Sequence, residues 1–151
     1  MDKYFTCEEP QYFTFAEMSR TDTGLDNCPL TWEQVENLMV TANRLDTIRK
    51  KFGKAVRVNC AFRSEAVNDR VGGVPTSAHT QGLAADICAY DCTESGNRRL
   101  YAICRESILS LSIDQLILYT ENPSVESSRI RFIHVGFRAF GKKPRGQILF
   151  K

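Results

Sequence analysis

From Trp32 to Phe52, apolar side chains recur at three- and four-residue steps: Trp32, Val35, Leu38, Met39, Ala42, Leu45, Ile48 and Phe52. That is the period of one helix face. Thr31, with Gln34 three positions on, reads as a capping box, and Gly53 stops the pattern. A helix this long with a single apolar stripe needs a second layer to cover it. Apolar residues make up 42% of the 151 and charged residues 25%, enough to build one ordinary core.

The covering layer has to come from strands. The stretch 55–62 alternates and is rich in β-branched residues, 112–119 is a second strand, and 131–137 a third beyond a polar loop at 120–128. Further helices are expected at 12–18 (a short turn), at 65–71 behind Ser64 and before Gly72-Gly73, and from Thr93 or Ser95 onward. The last of these places Leu100, Ile103, Cys104, Ile108 and Leu111 on its buried side. The pattern predicts an α+β fold, an antiparallel sheet with flanking helices, as a single domain over 1–151 and a monomer.

Charge excludes some partners. Twenty Lys and Arg against 18 Asp and Glu leave a net +2, too little to imply nucleic acid. No apolar run approaches the roughly 20 residues of a membrane span, so no membrane insertion is expected. The start, Met1-Asp2-Lys3-Tyr4-Phe5, lacks the basic segment and apolar run of a secretory signal, so synthesis in the cytoplasm is expected. Six cysteines read as reduced, mostly buried thiols, because Cys88-x-x-x-Cys92 has no second pair at zinc-finger spacing.

The chain has two histidines. His79 stands seven positions before Asp86 in Ser77-Ala78-His79-Thr80-Gln81-Gly82-Leu83-Ala84-Ala85-Asp86-Ile87, and His134 lies in the strand 131–137. Two imidazoles and a carboxylate are the protein's share of a catalytic Zn2+ site with one position left open. Other divalent first-row metals suit the same donors. If 83–88 is extended, Ala84, Asp86 and Cys88 share one face and Leu83, Ala85 and Ile87 the other. On the strand of His134, Ile130, Phe132, His134 and Gly136 are expected on one face.

Several motifs stand in order along the chain: Ala61-Phe62-Arg63-Ser64, Asn68-Asp69-Arg70-Val71-Gly72-Gly73, the Ser77 to Asp86 stretch, Asp114-Gln115-Leu116-Ile117 and Ile133-His134-Val135. Phe13-Thr14-Phe15-Ala16-Glu17-Met18 and Asn27-Cys28-Pro29 extend the set. In these the chain resembles the D-alanyl-D-alanine carboxypeptidase family of zinc metallopeptidases, in the form common among phage endolysin-like proteins. That group shares a core with lysostaphin and the hedgehog signalling domain. The resemblance implies that His79, Asp86 and His134 bind Zn2+. It implies that Arg63 holds a substrate carboxylate or carbonyl and stabilises the developing oxyanion. Ser77 and Asn68 match residues at the rim, as substrate-binding groups; Ser77 either bonds substrate or shapes the loop before His79. Gly72, Gly73 and Gly82 are architectural.

The function implied by the resemblance is hydrolysis of an amide in the peptidoglycan stem peptide, as carboxypeptidase or endopeptidase. It would act at the cell wall or periplasm, as a phage lysis enzyme after phage-mediated release. The alternative is a catalytically silent relative that keeps zinc and binds wall peptide or a protein partner. One departure motivates it. The family carries an acid three positions before the last histidine, and Arg131 stands there, unable to accept a proton. The base is then expected from Asp114, Glu121 or Glu126. Asp114 is preferred because its motif matches, against the plainer reading of a carboxylate satisfied by arginine or backbone.

Overall fold

The computed structural model describes residues 9–151, so the readings made on Cys7 and on residues 1–5 lie outside it. In chain order come α1 (Phe15–Met18), α2 (Trp32–Phe52), β1 (Val56–Cys60), α3 (Glu65–Arg70), a 3-10 turn (Ala78–Gln81), β2 (Ala84–Ala89), α4 (Glu94–Glu106), β3 (Gln115–Thr120), β4 (Ile130–Gly136) and β5 (Gln147–Phe150). The five strands form one sheet in the order β1-β2-β4-β3-β5. The first three pairings are antiparallel, while β5 joins β3 in parallel. The α+β expectation holds. The parallel fifth strand is not legible in the sequence, because Ile148-Leu149-Phe150 is too short to show a period.

Both ends of α2 obey their sequence signals. The Thr31 hydroxyl accepts from the Gln34 amide, and the Gln34 side chain accepts from the Thr31 amide at 3.1 Å. Gly53 closes the helix at φ 75°, donating to the Arg49 carbonyl. Leu38, Ala42, Leu45, Ile48 and Phe52 pack with Leu100 and Cys104 of α4 against Val58, Ala85, Ile87, Leu116, Ile133 and Val135 of the sheet. Trp32, expected in the stripe, is 82% exposed. It is the first helical residue, before the core-facing turns begin. Ile108 and Leu111 lie beyond the end of α4, in the turns leading to β3.

The helix α2 also carries a second set of positions, one the apolar pattern hides. Gln34, Asn37 and Thr41 donate in turn to the carbonyls of Thr80, Gln81 and Gly82, at 3.1, 2.9 and 2.7 Å. Three polar side chains one helical turn apart thus hold three successive carbonyls that lack partners in regular structure. Gly82 approaches so closely that an added Cβ would sit 2.7 Å from the Gln34 carbonyl oxygen, and its φ is +75°.

Two bulges change the phase of the strands. In β1 the register steps from Val58↔Ile87 to Cys60↔Asp86, passing over Asn59. In β4 it steps from Tyr119↔Phe132 to Thr120↔Ile130, passing over Arg131. Strict alternation places Ile130 beside Phe132 and His134; the bulge turns it into the core, 3% exposed. The expectation of mostly buried thiols also fails. Among the described residues all five cysteines are free, but Cys28 and Cys92 are exposed and Cys60 half-buried.

Thr41→Val keeps the shape of a fully buried side chain and strands the Gly82 carbonyl. We expect a loss of about 1–3 kcal/mol, read as a melting temperature lower by about 2–4 °C per kcal/mol. An unchanged melting temperature would show that the ladder does not hold the loop.

Candidate metal centre

The sheet face away from α2 and α4 carries the site. Cys60 of β1 pairs with Asp86 of β2, Asp86 with His134 of β4, and His134 with Ile117 of β3. A single row across four strands therefore sets Asp86 and His134 side by side. His134 Nδ1 lies 2.9 Å from Asp86 Oδ1, and His79 Nε2 lies 3.3 Å from the same oxygen. The two rings meet edge to face with centroids 5.1 Å apart. His79 comes from the 3-10 turn rather than the sheet. Its Nδ1 donates to the Ala61 carbonyl at 2.6 Å, which fixes the ring and turns Nε2 to the carboxylate.

Among the described residues, the donors grouped closely enough to hold a metal ion are those of Cys60, His79 and Asp86; His134 is outside that group, though its Nδ1 is near Asp86 Oδ1. Ligand atoms about 3.3 Å apart form the edge of a tetrahedron with metal bonds of roughly 2.0–2.1 Å. Burial raises the Asp86 pKa, but hydrogen bonds from His134 and His79 outweigh it and hold the carboxyl well below the ordinary range. Burial likewise opposes protonation of His79, and Asp86 with Cys60 overcomes it, lifting that imidazole to about 9. The lone pairs that share protons here are those a metal dication would take.

Arg63 lines the same cleft, about 500 Å³ in volume, at the end of β1. Its Nη2 reaches Asp86 Oδ2 at 3.5 Å, Nη1 reaches Asn68 Oδ1 at 3.5 Å, and Nε donates to Cys60 Sγ at 3.2 Å. The guanidinium is thus held from three sides yet stays partly exposed. Asn68, expected at the rim, lies beneath it, 2% exposed, with its amide donating to the Val74 carbonyl. It supports Arg63 from the buried side. Gly73 is required by that packing, since a Cβ there would stand 2.0 Å from Asn68 Oδ1. Ser77 caps the turn, accepting from the His79 amide at 3.3 Å, so it shapes the loop while also lining the cleft.

Asp114 lies in the cleft wall, but its carboxylate is committed. Oδ1 accepts from the Arg145 amide and Nε and meets Arg138 Nε at 3.1 Å; Oδ2 accepts from Arg145 Nη2 at 2.8 Å. Burial raises its pKa, and these partners more than reverse that, so it is lowered overall. Such a carboxylate is a weak proton acceptor, and its contacts tie it to the segment leading into β5. The Asp114 carbonyl also accepts from the Gln147 amide. Glu121 and Glu126 are exposed on the loop between β3 and β4, away from the cleft lining. Arg131 is exposed, its guanidinium 5.9 Å over the Phe132 ring. Among the described residues, the carboxylates lining the cleft are Asp86 and Asp114.

Sequence reasoning misses Cys60, whose sulfur falls with the donor atoms of His79 and Asp86 in a group mutually within 4.8 Å. Alternation from Val56 and Val58 assigns it to the core, and only the bulge brings it round. It also misses the stacked pair Tyr119 and Phe132, centroids 4.4 Å apart, in the cleft wall.

An α+β sheet with two imidazoles, a carboxylate and an arginine in one cleft is the kind of centre metallopeptidases use. The sequence profile of the Peptidase M15 family matches residues 11–113, and the chain belongs to that family. The match includes Arg63, His79 and Asp86 and stops before β4, so His134 is joined to the set by the register of the sheet. A zinc D-Ala-D-Ala carboxypeptidase of Streptomyces albus G is 35% identical over 82 residues, 53% of this chain and 32% of that protein. The chain thus aligns with about a third of the relative's length.

Asp114→Asn should destabilise the fold by about 1–2 kcal/mol at neutral pH, the arginine partners being partly exposed. Because the folded pKa is depressed, the wild-type advantage is present above the unfolded value of about 3.9 and is lost as pH falls through the folded value. Denaturant melts of the two proteins should therefore converge on the acid side of about pH 4. A gap that persists there would refute the ion-pair account.

Proposed function

We propose that the chain is a zinc-dependent peptidase acting on the stem peptide of peptidoglycan, with the terminal D-Ala-D-Ala amide the favoured bond. The observation that carries this is Asp86, whose two oxygens join both imidazoles to the guanidinium of Arg63 within one cleft. Membership of the Peptidase M15 family and the named activity of the Streptomyces relative support it.

His79, Asp86 and His134 would hold the ion. When bound, Zn2+ supplies a Lewis acid for a carbonyl oxygen and lowers the pKa of a water to about 7. The chain's own groups do the positioning. Arg63, with three of its five N–H groups engaged, offers the remaining donors to a substrate carboxylate or to charge developing on a carbonyl oxygen. Arg145, Lys151 and Arg63 line the cleft with positive charge, which suits a peptide ending in a free carboxylate. The edge formed by Tyr119 and Phe132 gives an apolar wall for the substrate's methyl groups.

A second reading is a silent relative that binds the wall peptide or a protein partner without cleaving it. It is favoured by one specific observation: the cleft carboxylates, Asp86 and Asp114, are both committed, and Arg131 stands where the family's acid stands.

The test is incubation of zinc-loaded protein with a D-Ala-D-Ala-terminated stem peptide, with and without chelator, and then amino-acid analysis. We expect chelator-sensitive release of D-alanine. Arg63→Lys should lower kcat/KM about 10²–10³-fold. Peptide binding without metal-dependent release would select the silent relative. In that case Arg131→Glu should raise turnover, by up to the 10²–10⁴-fold a general base contributes.

A further inference from the structure

The geometry points to Cys60 as a fourth protein donor to the metal, closing by a thiolate the position that three donors would leave open. The inference rests on the metal reading of His79, Asp86 and His134 and concerns what this chain adds to it. Three observations support it. The sulfur of Cys60, an oxygen of Asp86 and a nitrogen of His79 lie mutually within 4.8 Å. Cys60 stands in the same cross-strand row as Asp86 and His134, directly opposite Asp86. It is there because β1 bulges at Asn59, which turns Cys60 out of the core-facing set of Val56 and Val58.

The surroundings suit a bound thiolate. Arg63 Nε points at the sulfur from 3.2 Å and offsets the negative charge that thiolate and Asp86 bring together. On metal uptake the thiol proton leaves to solvent and the sulfur lone pair makes the bond. Cys60, His79 and Asp86 would hold the ion together, and His134, whose Nδ1 lies 2.9 Å from Asp86 Oδ1, would be the further donor of a site with four protein ligands. Such a site would admit a substrate group only where the Cys60 sulfur gave way. Cys60 would thus set a resting, latent state of the centre, and the sulfur, released as a thiolate, would keep the hydrogen bond from Arg63 Nε. Soft sulfur in the shell also shifts preference towards thiophilic ions.

Cobalt(II) is the probe, titrated into the reduced, metal-free protein and into Cys60→Ser. The wild type should show thiolate-to-cobalt charge-transfer absorption in the near ultraviolet together with visible ligand-field bands. Cys60→Ser should keep ligand-field bands, lose the charge-transfer band and bind zinc at least about tenfold more weakly against a chromophoric chelator, a lost direct donor costing no less than a lost outer-shell partner. Ligand-field bands without charge transfer in the wild type, or charge transfer persisting in Cys60→Ser, overturns the inference and leaves the three-donor site standing. No cobalt uptake by the wild type overturns both. Should Cys60→Ser fail to fold, alkylation of the wild type with iodoacetamide, mapped by peptide mass, decides. Zinc should protect Cys60 while exposed Cys28 and Cys92 continue to react, and equal labelling of Cys60 with and without zinc overturns the assignment.

Discussion

A carboxylate that is nearly out of water cannot be left alone, and the site is arranged around that fact. Asp86 is 7% exposed in the middle of a sheet whose six-residue strand β2 is buried throughout. An uncompensated charge there costs several kcal/mol. Its two oxygens draw in His79 from a turn, His134 from the adjacent strand and Arg63 from the end of β1. Those three partners compensate the buried charge, and the same contacts gather the site's polar groups in one cleft.

The loop that carries His79 is held by the polar edge of the helix whose apolar stripe builds the core. Gln34, Asn37 and Thr41 take three consecutive carbonyls, while Leu38, Ala42 and Leu45 fill the space beneath the sheet. One element thus sets both the packing of the domain and the position of His79. Arg63 is tied into the same unit, since its amide donates to the His79 carbonyl and the His79 ring donates to the Ala61 carbonyl. Asn27 pins the other side, donating to the Ser19 and Phe62 carbonyls and accepting from the Ser64 amide. These uncharged polar side chains act as braces, and the charged residues they brace face the cleft.

Asp114 illustrates how a matching motif and a chemical role can part. Its place in the sequence marks it as a candidate base, yet its carboxylate serves to join β3 to the segment entering β5 through Arg145 and Arg138. Asn68 parts the same way, supporting Arg63 from below. In both cases the residue type is right for chemistry, and its partners, invisible in one dimension, give it a structural task.

The amino-acid sequence by itself determined the elements whose signals are local. The capping box at Thr31 and Gln34, the period of α2, the alternation of β1 and the nearness of His79 to Asp86 seven positions later are all local features of the chain. It also carried the donor types, because the chain's two histidines and Asp86 stand within its recognisable motifs. Only the tertiary structure decided the register. The bulges at Asn59 and Arg131 shift side chains by one position, and a shift of one moves them to the opposite face: Ile130 into the core, Cys60 into the site. Those shifts depend on how neighbouring strands meet, a long-range packing outcome that no local pattern of residues encodes.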